Sequence, residues 1–391
     1  MTKKKVCMIV YTLYTYDARV RREAETLVSS GCYEITVLCL KEEKKRRSYR
    51  KEDVSVIELN MRKYSGHKMF YYIISYIRFL MKSFFTCSIL LFKKEIDIVH
   101  VHNMPNFLIF AGILPKLLKK TLILDMHDSV PETFSAKYRN KRNFLFKLLC
   151  IEEKISSKFS DRIICVNHVQ KNVIINRGIP PEKIYISMNV PDHKIFTDLE
   201  DRRITRNSNG PFKLVYHGTI TKRLGIDVAI EAVAKLKSLY PAIELHLWGK
   251  GDFTNYILEK IRENENRDIV YFHGIVSIEE LPGTLADMDV GIIPNRKSPA
   301  TELMLPVKMM EYIALGIPVI APRLEAIEYY FTDEMVSFFD PENIDSLIKT
   351  IITIYENKSL RLSQVIKARD FLKKYGWERQ SLDFIKYYSN L

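Results

Sequence analysis

Short runs of apolar, β-branched residues punctuate this chain, and the stretches between them repeat their apolar positions at helical spacing. The first pattern is that of strands buried on both faces, the second that of helices laid against them. Strands are expected at 6–10, 34–40, 54–59, 96–101, 121–125, 162–166 and 183–186. After a break they resume at 213–217, 243–248, 270–272, 290–294, 319–321 and 337–339. Helices fall between them, for instance at 226–239 and 343–357. This alternation predicts an α/β architecture with parallel sheets. The break, 198–211, is polar and carries arginines, asparagines and a glycine, so it reads as a linker between two α/β halves of comparable size. A length of 391 residues exceeds one ordinary core, which agrees with two domains, expected at 1–195 and 210–375. In such sheets ligands bind at the carboxyl ends of the strands, often between domains.

Composition narrows the picture. With 47% hydrophobic and 27% charged residues the chain belongs among folded globular proteins. Its six cysteines (Cys7, Cys32, Cys39, Cys87, Cys150 and Cys165) form neither a Cys-x-x-Cys pair nor a zinc spacing, so reduced thiols and a cytoplasmic setting are expected. The sequon Asn357-Lys358-Ser359 then carries little weight. Met1-Thr2-Lys3-Lys4-Lys5 runs straight into the first strand, so no signal peptide is expected. A net charge of +13 directs attention to nucleic acid, a membrane surface or anionic substrates. The densest basic run, 41–51, reads as a solvated loop. No recognition-helix, zinc-finger or RNP pattern is present, so nucleic acid is not an expected partner.

The segment 69–92 is apolar and aromatic, with only Arg78 and Lys82 charged. It is long enough to span a bilayer, although its cations, Ser75, Ser83 and Thr86 would be costly in hydrocarbon. Flanking Arg62, Lys63, Lys68, Lys93 and Lys94 suit a helix resting on an anionic surface. A packed helix of the first domain is the third reading, and all three stay open at this point.

Chemistry concentrates in the second half. Tyr216-His217-Gly218-Thr219, with Arg223 and Gly225, follows a strand and opens a helix, a place where backbone and an arginine fork meet an anion. Gly249-Lys250-Gly251 is a tight turn after the next strand, and taken alone a weak signal. Pro306-Val307-Lys308-Met309-Met310-Glu311 opens a helix that Gly316 ends, placing a cation and a carboxylate three residues apart on one face. That pair suits a ligand with a polyanionic part and a hydroxyl-rich part.

Taken in this order, with Phe272-His273-Gly274, the stretch 287–294, Tyr312 and Gly316-x-Pro318-Val319, these patches resemble the retaining glycosyltransferases of family 4. The amino-terminal half adds Asp17-Ala18-Arg19-Val20-x-x-Glu23-Ala24, Asp97-Ile98-Val99-His100-Val101-His102 and Asp125-x-His127-Asp128. The resemblance implies the GT-B fold, two Rossmann-like domains facing a cleft, with a last helix at 376–391 (near Trp377) returning to the first domain. It implies transfer of a sugar from a nucleotide diphosphate sugar with retention at the anomeric carbon, with no cofactor and no metal. The basic charge and the segment 69–92 add the expectation of a glycan or lipid-linked acceptor at the inner face of a membrane. Arg223 and Lys308 would neutralise the diphosphate and Glu311 would hold ribose hydroxyls. Gly218 and Gly249 would line the phosphates, His273 and Gly274 the base, and His127 the sugar. The family's first glutamate position is Leu303 here, which leaves Glu302, one residue out of register, as the sugar-contacting carboxylate. The loop 12–16 lacks the glycines many relatives place near the phosphates.

Two rivals share the fold, a nucleotide-sugar epimerase and a non-catalytic donor-binding protein. A nicotinamide dehydrogenase is disfavoured because no Gly-x-Gly-x-x-Gly follows the first strand. His100 and His102 are expected on opposite faces of their strand, which would exclude a two-ligand metal site. Asp287-Met288-Asp289 reads as a structural joint between helix and strand.

Overall fold

The computed structural model describes residues 3–42, 48–64, 66, 68–137, 142–196, 210–262 and 268–391. Of the expected linker 198–211, positions up to 209 lie outside the described residues, as do positions 43–47 of the basic run. The chain divides into two units, Met1–Asn189 with Gln380–Leu391, and Val190–Arg379.

The first unit carries strands β1 Lys4–Val10, β2 Tyr33–Leu40, β3 Ser48–Lys51, β4 Val54–Leu59, β5 Ile98–His102, β6 Thr121–Met126, β7 Arg162–Cys165 and β8 Ile184–Ile186. Their order in the sheet is β3-β4-β2-β1-β5-β6-β7-β8. All neighbours are parallel except β3, which pairs antiparallel with β4 in the register Tyr49↔Val56. The sequence pattern does not announce β3, because Arg50 and Lys51 sit at a sheet edge, where charged side chains reach water and discourage further pairing.

From β1 the chain builds outward to β4, then returns to add β5 through β8 on the other side. Right-handed crossovers therefore put the helix Ala18–Ser29 on one face of the sheet. They put Met69–Phe92, the 3-10 segment Asn106–Gly112 and Arg142–Phe159 on the other. On that second face Cys7, Val99, Val101 and Leu124 join Phe79, Leu91 and Leu108 in one apolar core.

The opposite face is polar at its centre. Side chains two apart on a strand point the same way, so His100 and His102 lie together with ring centroids 4.1 Å apart. This corrects the expectation of opposite faces, which misapplied the two-residue period. The final helix Trp377–Ser389 covers this side, where the Tyr388 hydroxyl meets His100 Nδ1 at 2.6 Å. Near that helix's start, Gln380 Oε1 accepts from Met188 N at 2.7 Å, and Trp377 is buried.

The second unit has a six-stranded parallel sheet of β9 Phe212–His217, β10 Ile243–Trp248, β11 Val270–Phe272, β12 Val290–Ile292, β13 Val319–Pro322 and β14 Ser337–Phe339. The order β11-β10-β9-β12-β13-β14 reverses direction between β9 and β12, which is the switch point where α/β sheets bind ligands. Asp289 fixes the foot of that junction. Lys213 N donates to its carboxylate at 2.8 Å, and its own amide donates to Lys213 O at 2.9 Å.

Candidate functional site

At the carboxyl end of β9 the chain turns through Gly218, whose φ of +106° opens the strand towards the next helix. The neighbouring turn after β10 uses Gly249 at φ +143°, and a Cβ there would stand 1.8 Å from Gly218 O. Only glycine permits that approach. Gly249 N in turn donates to Gly274 O at 2.6 Å, so the turns after β9, β10 and β11 form one connected rim.

The helix Val307–Ala314 points its first turn at this rim, behind Pro306. Lys308 Nζ lies 3.8 Å from the centroid of the Tyr216 ring and close to Gly218, where an added Cβ would approach it to 3.2 Å. That amine is buried and has no hydrogen-bond partner among the described residues. Burial draws its pKa down to about 7, and the Glu311 carboxylate offsets only part of this. Arg223, in the turn Lys222–Leu224, lies near enough for its charge to act on the Tyr216 hydroxyl, and it makes no ion pair among the described residues. Its neighbour Arg296 is committed to Asp227, Glu342 and the Lys222 carbonyl. Lys308 and Arg223 are thus cations of this rim that make no carboxylate salt bridge among the described residues.

Glu311 sits one turn further along the helix. One of its oxygens takes a 2.6 Å bond with His217 Nε2, while His217 Nδ1 meets the Tyr312 hydroxyl at 2.9 Å. Tyr312 OH also donates to Val215 O at 3.2 Å and accepts from His217 N at 3.1 Å. This network holds the carboxylate at the end of β9 and leaves its second oxygen available to a ligand.

Beyond it, His273 stacks on Trp248 with centroids 4.1 Å apart, and His246 lies parallel to it at 5.2 Å. His246 Nδ1 meets His273 Nε2 at 3.0 Å. Burial lowers the pKa of both histidines, which leaves a flat, neutral aromatic wall. Lys308, Glu311, Arg223, Gly218, Gly249, His273 and Gly274 therefore gather at the carboxyl edge of one sheet. Glu302 is otherwise engaged. Its Oε2 accepts from Glu325 N at 2.7 Å, at the start of the helix Glu325–Tyr330, and Lys297 lies 3.0 Å from Oε1.

In the first unit, His127 follows β6. Its Nε2 lies 3.2 Å from Asp125 Oδ2 and 3.1 Å from His102 Nδ1, and its amide donates to Asn103 Oδ1 at 2.8 Å. Arg19 forks onto Asp125 at 2.9 and 3.1 Å and reaches Glu23 at 3.2 Å. Burial opposes charge on Asp125, yet Arg19 and His127 hold it well below the usual carboxylate range. Burial likewise works against the His127 imidazolium, and Asp125 outweighs it, so that pKa is raised. His102 is lowered by burial and by the charge of His100. Glu23, His100, His102 and Asp125 bring potential ligand atoms within 4.8 Å of one another, with Arg19 already supplying the cation that both carboxylates face.

Sequence reasoning missed this Arg19–Asp125 pairing and the parts played by Tyr216, Tyr312 and Trp248. The Arg19-x-x-x-Glu23 spacing signals only the Arg19–Glu23 contact, since residues four apart meet on a helix, and nothing local points to Asp125 more than a hundred residues on. The Tyr216 ring carries no signal, because its role depends on a contact across the fold.

Comparison with known proteins follows the same division. A family model described as Glycosyl transferases group 1 matches residues 198–371, and one described as Glycosyltransferase Family 4 matches 18–190. A putative colanic acid biosynthesis glycosyltransferase, WcaL, from Salmonella typhimurium is 26% identical over 184 residues, 47% of this chain and 44% of that protein. The chain spans about half the length of the curated relatives it matches first. Among solved structures, a sucrose-phosphate synthase from Thermosynechococcus elongatus superposes with a TM-score of 0.81 at 17% identity, covering 99% of both chains. The Anabaena protein HepE, solved in complex with UDP, gives 0.74 at 13% identity over 99% of this chain and 100% of its own.

Proposed function

We propose, for a chain that belongs to the group 1 and family 4 glycosyltransferases of GT-B fold, that it transfers a sugar from a nucleotide diphosphate sugar to a growing glycan. The observation that carries this reading is the buried, unpartnered Lys308 amine above Tyr216, beside Arg223 and a glycine turn, with Glu311 one helical turn behind. A diphosphate would complete both cations, and forming those charge-assisted bonds is worth most where water is excluded. The free oxygen of Glu311 would accept from ribose hydroxyls, and the Trp248–His273 wall would border the base. UDP in HepE supports a uridine nucleotide as the first candidate.

In this reading the departing diphosphate is neutralised by Lys308 and Arg223 and needs no metal. The sugar passes through an oxocarbenium-like state and keeps its anomeric configuration. His127, whose pKa Asp125 raises, would bond the sugar. The acceptor is proposed to be a lipid-linked glycan, met at the inner face of a cell membrane during polysaccharide synthesis. A cavity of about 380 Å³ beside the ends of β1 and β2, bordered by Thr12, Tyr16, Lys41, Glu42, Arg62 and Lys63, offers polar and cationic groups to an acceptor.

The test is a thermal-shift and donor-hydrolysis screen over nucleotide sugars, repeated with Lys308→Ala and Glu311→Ala. A stabilising nucleotide sugar whose effect and hydrolysis fall in both variants is expected. No stabilisation of the wild type, or normal hydrolysis by both variants, would sink the assignment. Release of an epimerised free sugar without acceptor would replace transfer by epimerisation.

A further inference from the structure

We infer that the first unit docks on an anionic lipid bilayer through apolar stripes that share one face of its sheet, lying in the interface without crossing it. The inference is independent of the donor site. The helix Met69–Phe92 has two unlike sides. Its inner side buries Phe79, Cys87, Leu90 and Leu91 in the core, and Ser75 Oγ meets the Tyr11 hydroxyl at 2.6 Å. Its outer side exposes Ile73, Ile77, Met81, Phe85, Ile89 and Phe92, a line of steps three or four residues apart that forms one helical stripe. Although 23 of its residues are long and apolar enough to cross a membrane, a crossing would strip the inner side from the sheet.

A second stripe repeats the pattern where the sequence alone gave no warning. The helix Arg142–Phe159 lies on the same face of the sheet and exposes Phe144, Leu148, Ile151 and Ile155, with Phe144 at 78%. Leu117, at 72%, and Leu118 project from the short helix Ile113–Leu117 on that face. Scattered exposed leucines need no explanation, but stripes on two helices that flank the same 3-10 segment do.

The charges around these stripes select the occupant. The helix Met69–Phe92 contains no acidic residue. The two glutamates of Arg142–Phe159 turn inward, Glu152 accepting from Asn106 Nδ2 at 3.1 Å and Glu153 pairing with Arg177. Lys147, Lys154 and Lys158 are exposed on that helix and Arg78 on the other, which is followed directly by exposed Lys93, Lys94 and a single carboxylate, Glu95. A second copy of the chain would set this cationic rim against itself. An anionic bilayer accepts both parts, the apolar stripes among the acyl chains and the lysines at the phosphates.

Flotation of the full chain with vesicles tests this, comparing phosphatidylcholine alone with phosphatidylcholine mixed with phosphatidylglycerol. Binding to the mixed vesicles only, weakened by salt, is expected. Lys147→Gln/Lys154→Gln/Lys158→Gln should weaken it about fivefold per lysine removed. Ile77→Ser/Phe85→Ser/Phe144→Ser should abolish it with the melting curve retained. Should that triple variant unfold, Phe85→Trp gives a second reading, an emission blue shift with mixed vesicles only. Equal flotation on both vesicles, no flotation, or an unmoved Trp emission would overturn the inference. A solution dimer that the apolar variant dissociates would assign the face to a second copy instead. Resistance to carbonate extraction from cell membranes would restore the spanning reading.

Discussion

Lys308 is the residue on which most of the donor chemistry turns, and its cost is written into the ligand-free protein. Burial lowers its pKa from an ordinary 10.5 to about 7. A bound diphosphate favours the charged amine, so binding takes up a proton once the pH exceeds the ligand-free value. Donor affinity should therefore fall as pH rises above 7, by about tenfold per unit until the bound-state pKa is reached. Calorimetry in buffers of different ionisation heat, at pH 8, should show that proton uptake. An affinity independent of pH between neutrality and pH 9 would contradict it. Stability carries the opposite sign. Between pH 7 and 10.5 the unfolded chain holds the proton that the folded site has released, so this site becomes less costly as pH rises and imposes its full penalty below pH 7. Lys308→Met should accordingly raise the ligand-free melting temperature, most at pH 6 and least near pH 10. The gain should be about 2–4 °C for each kcal/mol recovered in a unit of this size, while donor binding is lost.

At the scale of elements, the short helices and turns around β9 and β12 decide which carboxylate serves the ligand. Glu302 ends the helix Pro299–Glu302, and its Oε2 caps the first turn of Glu325–Tyr330. Removing such a cap by Glu302→Ala should cost about 1 kcal/mol in chemical denaturation, with Glu302→Gln recovering most of it through its amide oxygen. If Glu302→Gln instead keeps its stability and loses more than about tenfold in donor turnover, the carboxylate serves the sugar. The Gly249 turn offers a sharper case. Alanine there meets Gly218 O at 1.8 Å on a left-handed backbone, so Gly249→Ala should destabilise by more than about 2 kcal/mol and disturb donor binding with it. The motif glycines, Lys308 and Glu311 were legible from sequence because tight turns and helix spacing are local rules. Glu302's partner was not legible, since a cap on a helix more than twenty residues later depends on packing. Strand β3 was hidden by its charges for a related reason, because an edge satisfies a backbone ladder without burying side chains.

Over the whole molecule, each unit has its own sheet and its own apolar core. Alternating apolar runs made both sheets legible in the chain, and the parallel strands followed from the long connections between them. The polar centre beneath the final helix was not legible, because Arg19, Asp125, His100 and Tyr388 come from four distant segments. The strand period alone would have put His100 and His102 together. The two ligands argued above belong to different units, which makes them separable. Nucleotide diphosphate without sugar should slow amide exchange at 216–225, 247–251, 272–275 and 306–312, since a ligand protects what it binds in proportion to its occupancy. Peptides of 70–92 and 144–158 should be unaffected by it. Anionic vesicles should do the reverse, protecting the two apolar helices and leaving the four donor segments as they were. Hydrogen-exchange mass spectrometry on one sample with either addition reads both. Nucleotide protection confined to the first unit would discard the donor site and leave the membrane face standing. Vesicles that protect only the donor segments would discard the membrane face and leave the donor site.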